Sequence, residues 1–317
     1  MENWQAICSY AEKCGLLQTQ TDELQQCFEQ INSSPDVRII FDQCLERSRS
    51  KQISETELLQ LFQGYELPKV HLLLILSLYP VAENIYRERN WPMTMWQDIR
   101  TDVAIWVKHH QENYGTVGLQ WRIFNWELGV FSGNTIQLGR LQCNTSRYFN
   151  EPFSVYKKST DGEVRMTEHS PGVSWDCKLA PGDPVINIHI PASGAMDIEA
   201  CKQSIRRMAD FFDRFLPDYQ YQAIFCETWF LDRQLQKLLP PHSNIVQFQK
   251  LGHLFDYSLE SETIWRVFGK KGAREGVNAV PHKTSMQKSL AEFVNRGGQF
   301  HTGGLIILRD EISPEIF

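Results

Sequence analysis

The spacing of apolar residues changes once along this chain, and that change limits what it can fold into. Up to Phe131 apolar residues recur every three and four positions, as on one face of a helix. From Thr135 onward they fall into short alternating runs separated by Gly, Pro, Asn and Asp. Ser132-Gly133-Asn134 lies between the two regimes. An all-helical half over residues 1–132 followed by an α/β half over 133–317 is expected, and 317 residues give each half the length of an ordinary domain.

The helical half reads segment by segment. Trp4 to Leu17 carries Trp4, Ile7, Cys8, Ala11 and Leu16 on one face. Thr21 or Asp22 can cap a second helix running to Ile31, and Pro35 enters a third at its first turn. Ser54-Glu55-Thr56-Glu57 is a capping box that opens a fourth. The apolar run Val70 to Ala82 holds His71 and Pro80 and falls short of the roughly 20 residues of a membrane span. It reads as a buried helix, Leu67 to Leu78, ended by Pro80. One long helix is expected after Pro92, with Trp96, Ile99, Val103, Trp106 and Val107 as its apolar stripe, and a Trp-rich one over Leu119 to Phe131. Aromatics at this spacing predict core rather than a pocket.

In the second half, strands are expected at Thr135 to Asn144, Phe153 to Lys158, Val164 to Thr167, Val185 to Ile190, Tyr221 to Trp229, Asn244 to Gln249 and Leu305 to Arg309. Helices are expected at Ile198 to Phe215, Leu231 to Leu239, Glu260 to Phe268 and Thr284 to Asn295. The βαβαβ order in its middle predicts parallel or mixed neighbours with covering helices.

Charge excludes some partners. With 32 Lys and Arg against 38 Asp and Glu, the net charge of -6 offers no basic field for a nucleic acid backbone, and no apolar run suits a membrane. Eight Cys stand at wide, irregular spacings without a CxxC, so reduced thiols and no zinc site are expected. The first residues show no basic stretch followed by an apolar one, which makes a cytoplasmic address the expectation. Oligomeric state is not legible.

Four segments carry a resemblance: GDPVINIHIPASGAMDIEACKQSIRRMADFF at 182–212, YQAIFCETWFLD at 221–232, LGRLQ at 138–142 and VPHKTSMQKSLAEFVNRGG at 280–298. The chain resembles a two-domain bacterial acyltransferase family, in which a helical N-acyltransferase N-terminal domain precedes a GNAT-like C-terminal domain. The resemblance implies a mixed-sheet GNAT-like fold that takes acetyl-CoA or another acyl-CoA at a splay between two central strands. It also implies transfer of the acyl group to the amine of a small molecule, without a metal. GNAT enzymes usually hold the pyrophosphate on a Gln/Arg-x-x-Gly-x-Gly/Ala loop. Here Pro191-Ala192-Ser193-Gly194-Ala195-Met196-Asp197 stands instead, with one Gly and an acidic residue at the helix start.

The site residues follow from the chemistry that acyl transfer needs. Backbone amides at Ser193, Gly194 and Ala195 could receive the pyrophosphate, or the loop could merely lead to Asp197 as the helix cap. On the Val185 to Ile190 strand, Ile186, Ile188 and Ile190 take one face and Val185, Asn187 and His189 the other, so Asn187 and His189 mark a polar face. They would orient the acceptor or a water, with His189 also able to act as a base; the alternative is a structurally satisfied histidine at the domain interface. Glu227, at the C-terminal end of the next strand, is the first choice for the general base, its pKa raised by burial; the alternative is an ion pair with Arg140 or Arg233. Arg140, read as a strand residue sharing a face with Ile136 and Leu138, needs a carboxylate or an anionic substrate as partner. Gly269-Lys270-Lys271-Gly272-Ala273-Arg274 reads as a solvated basic loop, and Cys226 as a buried thiol facing away from Glu227. The competing function is a GNAT-shaped module that binds a small molecule or a protein without catalysis.

Overall fold

The computed structural model describes residues 3–149, 152–259 and 261–313, and the chain forms two compact units. One comprises residues up to 138 together with 191–194, the other 139–190 and the residues from 195 on.

The first unit is built from α1 (Trp4–Lys13), α2 (Gln18–Ser33), α3 (Pro35–Arg49), α4 (Glu55–Leu61), α5 (Leu67–Ser77), α6 (Tyr79–Glu88), α7 (Met93–Ile99), α8 (Asp102–Tyr114) and α9 (Trp121–Phe131), followed by the strand β1 (Thr135–Leu138). The Ser54 hydroxyl caps α4 by accepting the Glu57 N–H at 3.3 Å, while the Glu57 carboxylate turns to Arg47. Every residue of α5 from Val70 to Ser77 is buried, which makes it the central helix. Among the described residues no helix is long and apolar enough to cross a membrane.

Two expectations need correction here. Pro80 does not end the helical run; it sits in the first turn of α6, where its missing N–H costs nothing. The long helix after Pro92 is two helices, α7 and α8. At the break, the Thr101 hydroxyl donates to the Asp98 carbonyl at 2.9 Å and competes for an acceptor that a continuous helix would use.

Aromatic residues fill the core of this unit, with Trp96 against Tyr79 and Phe131 at 5.3 Å each. Two carboxyl groups are buried as well. Asp102 accepts the indole N–H groups of Trp106 at 3.0 Å and Trp126 at 2.9 Å. Glu127 is 0% exposed and neither of its oxygens meets a hydrogen-bond donor among the described residues. Burial first, and then the nearby Asp102 charge, push the Glu127 carboxyl well above the usual carboxylate range.

The second unit contains β2 (Leu141–Arg147), β3 (Ser154–Lys158), β4 (Val164–Thr167), β5 (Trp175–Leu179), β6 (Pro184–His189), α10 (Ile198–Phe215), β7 (Ala223–Thr228), α11 (Leu235–Leu238), α12 (Asn244–Gln249), β8 (His253–Ser258), α13 (Thr263–Glu275), α14 (Ser285–Asn295) and β9 (Thr302–Leu308). Its main sheet runs β2-β6-β7-β9-β8, with β6 and β7 parallel and the other pairs antiparallel. A smaller sheet, β4-β3-β5, lies over one face, where Val155 and Leu179 pack with Val185, Ala223, Phe225, Ile306 and Leu308.

Here too the structure revises the sequence. Asn244 to Gln249, expected as a strand, is helix α12: Ile245, Val246 and Phe248 suit one turn as well as an alternation, and six residues do not separate the periods. Gln249 faces inward and its amide donates to the Phe230 and Asp232 carbonyls at 2.6 and 3.1 Å, which a strand there would not allow. The strand beside β7 is instead β9, and β8 and β5 were not anticipated. Glu260, the expected start of a helix, lies outside the described residues; the helix that follows, α13, begins at Thr263. The 269–274 segment is not a loop but the second part of α13, after a kink at Gly269. Thr135 to Asn144 is two strands parted at Gly139, whose φ of +83° makes a turn, so Arg140 lies in a turn and does not share a strand face with Ile136 and Leu138.

Candidate functional site

The two parallel strands separate at their C-terminal ends. Their ladder pairs Val185 with Ala223, Ile186 with Ile224 and Asn187 with Phe225, and stops there, although β6 continues to His189 and β7 to Thr228. Both outer ladders stay closed alongside the gap. Gln142 still pairs with His189 and Cys143 with Ile188 on one side, and Glu227 with Gly304 and Thr228 with Gly303 on the other. The sheet therefore opens only in its middle. Open α/β sheets place ligands at such carboxyl ends.

Residues opposite each other in a parallel ladder share a face, so Asn187 and Phe225 do, and His189 and Glu227 come next on that face. The structure brings these three polar residues to the splay and adds two that the sequence did not single out, Asn144 of β2 and Tyr257 of β8. The Asn144 amide nitrogen donates to the Thr145 carbonyl at 3.0 Å, which turns its oxygen toward His189 Nε2 at 2.6 Å. That contact puts the imidazole proton on Nε2. Asn187 Nδ2 lies 3.4 Å from the same nitrogen. Burial lowers the His189 pKa to about 4, so the ring is neutral at neutral pH.

Glu227 differs from expectation in two ways. It is exposed rather than buried, and among the described residues neither arginine takes it as an ion pair. Arg233 Nε lies 3.8 Å from Asp256, and its guanidinium also donates to the Leu254 carbonyl. Arg140 Nε donates to the Ala195 carbonyl at 2.9 Å. The Tyr257 ring lies 6.4 Å from that of Phe225, two residues before Glu227 on β7. Burial first, and then the nearby Glu227 carboxylate, push the Tyr257 phenol up to about 12.

The remaining candidates lie elsewhere. Ser193, Gly194 and Ala195 are exposed in the loop before α10, with Gly194 at a φ of +71°. Asp197 caps α10, accepting the Ala200 N–H at 2.8 Å. Lys270, Lys271 and Arg274 are exposed along α13, with Arg274 beside Glu275 at 3.1 Å. Cys226 is buried on the face opposite Glu227, where burial pushes its thiol up and out of reach as a nucleophile. Among the described residues no three His, Cys, Asp or Glu side chains converge as a metal would require. Asn144 could have been found as the polar end of the Thr135 to Asn144 run. Tyr257 could not, because its strand went unread.

The family profile of the N-acyltransferase N-terminal domain matches residues 7–133, and that of the GNAT-like C-terminal domain matches residues 135–306. No curated protein matches the chain in sequence. Two similar solved structures share the fold over nearly the whole chain. One is an acyltransferase mutant in complex with octanoyl-CoA, 18% identical with a TM-score of 0.70, over 97% of this chain and 88% of that one. The other is an acyltransferase in complex with decanoyl-CoA and teicoplanin, 19% identical with a TM-score of 0.67, over 94% and 86%.

Proposed function

Because the chain belongs to the family that joins an N-acyltransferase N-terminal domain to a GNAT-like C-terminal domain, we propose that it transfers an acyl group from acyl-CoA to the amine of a small molecule. The observation that carries this is the splay between β6 and β7, with Asn187, His189 and Glu227 on one face of its lips. A pantetheine arm is an extended chain, and open α/β sheets take ligands at the carboxyl ends of strands that part in this way. The similar structures hold octanoyl-CoA and decanoyl-CoA, so thioesters of that length are the first donors to try beside acetyl-CoA.

The acceptor amine arrives as an ammonium ion and must lose a proton before its nitrogen can attack the thioester carbonyl. Glu227 takes that proton, directly or through a water. The nitrogen then bonds to the carbonyl carbon, the C–S bond breaks, and the coenzyme leaves as a thiolate that takes up the second proton released by the nitrogen, which leaves a neutral amide and the free thiol. His189, neutral and with its Nε2 proton held by Asn144, orients the acceptor or the water together with Asn187. Amides at Ser193, Gly194 and Ala195 meet the coenzyme phosphates, and Arg140, tied to Ala195, supplies a cation beside them.

A second reading, binding without catalysis, draws on one observation: Asp197 already caps α10 and Glu199 follows it, so that helix start is acidic. Thermal unfolding with acetyl-, octanoyl-, decanoyl- and free CoA tests the coenzyme claim. An acyl-CoA at about a hundred times its Kd stabilises by about 2.7 kcal/mol, which raises the Tm by several degrees. No shift at millimolar ligand overturns it.

A further inference from the structure

We propose that the first unit holds a binding site for a small oxyanion, a carboxylate or phosphate group, built from Arg100 and Lys13 around the ring of Tyr79. Three helix ends meet at that ring. Tyr79 opens α6 and is 1% exposed, with its ring stacked on Tyr10 at 5.0 Å and tilted against Trp96 at 5.3 Å. Arg100 is the C-cap of α7 and donates from Nη1 to the Tyr79 phenol oxygen at 2.7 Å. Lys13 ends α1, and its Nζ lies 5.3 Å from the centre of the same ring.

Two cations thus share one neutral ring, and what they lack is an anion. Among the described residues neither Arg100 nor Lys13 forms an ion pair. The buried carboxyl groups of this unit do not supply one, because Asp102 accepts two indole N–H groups and the Glu127 oxygens meet no donor. Arg100 Nε is enclosed without an acceptor, so the guanidinium charge is not balanced from within the unit. The C-terminal ends of α1 and α7 favour cations, which accounts for Lys13 and Arg100 being tolerated there. A helix end gives the guanidinium no acceptor, however.

The chemistry of the two groups sets the ligand. A guanidinium held at one end by a phenol is a planar fork that suits a group with two or three oxygens, and an ammonium on a flexible stem adds a point charge to it. Lys13 is exposed and Arg100 half-buried, so a small anion can approach both from solvent. Carboxylates and phosphates share this chemistry.

Thermal unfolding of the full chain in sodium phosphate, sodium acetate and sodium chloride of equal ionic strength tests the site. Replacing chloride by phosphate or acetate at a concentration tenfold above Kd is expected to raise the Tm by about 3 °C. Lys13→Gln and Arg100→Gln are each expected to lose most of that rise. Phosphate also stabilises proteins generally, by exclusion from their surface, so the deciding quantity is the difference between wild type and variants. Each rise is read against the same protein in chloride, which cancels any stability that Arg100→Gln loses by itself. A variant-sensitive rise with phosphate alone assigns the site to a phosphate group, and one with acetate extends it to carboxylates. No rise with either anion, or an undiminished rise in either variant, overturns the proposal.

Discussion

Glu227→Gln is expected to lower the rate of acyl transfer by about a hundredfold to ten-thousandfold, the range that a positioned general base contributes, while acyl-CoA still binds with wild-type affinity. The amide has nearly the shape of the carboxylate, so what it lacks is the ability to take a proton. Glu227 is exposed and holds no ion pair among the described residues, so its replacement leaves folding within about 0.5 kcal/mol. The split between lost turnover and retained binding is the signature of a group that acts on the reaction and not on the ground state. Steady-state kinetics with calorimetric titration of the same preparation checks it. Full activity in Glu227→Gln would pass the base role to His189, whose neutral ring lies on the same face.

The second large effect concerns stability and lies in the first unit. Glu127→Gln is expected to stabilise this unit, and to do so increasingly as pH rises. The sign follows from linkage. The folded carboxyl is raised well above its ordinary value of 4.5, so above that pH the unfolded chain gives up a proton that the folded chain keeps. Wild-type stability contributed by this group is present in acid and is lost as pH rises toward the folded pKa. The loss is about a factor of ten in the folding constant per pH unit. Gln does not titrate, so the two proteins should have similar stability at pH 4 and separate as pH rises above it. Denaturant unfolding at several pH values measures this. A difference that does not change with pH would mean that Glu127 is not held protonated beside Asp102.

Much of the fold was legible because its signals are local. The change of period at Ser132 to Asn134, the buried α5 and the caps at Ser54 and Asp197 each depend on residues within a turn or two. The alternation of Val185 to Ile190 gave the polar face at Asn187 and His189 because a strand's side chains alternate whatever its neighbours do. What failed depends on partners distant in sequence. α12 and a strand are equally compatible with NIVQFQ, and only the seat of Gln249 on the Phe230 and Asp232 carbonyls decides between them. β8 carries exposed Asp256 and Tyr257 and owes its existence to pairing with β9, roughly fifty residues away. Arg140 was assigned to a strand because a single Gly139 inside an alternating run does not reveal whether it bulges or turns. Glu227 was placed on the correct strand and face, but its exposure depends on the glycines of β9 and on the opening of the β6–β7 ladder, which no segment states alone.

In the proposed reaction acyl-CoA occupies the gap between β6 and β7. Hydrogen exchange of the intact chain, followed by mass spectrometry with and without octanoyl-CoA, tests it most directly. Saturating octanoyl-CoA is predicted to slow exchange in peptides covering 185–190 and 223–228, where the ladder is open. Binding that leaves both peptides unprotected would contradict it.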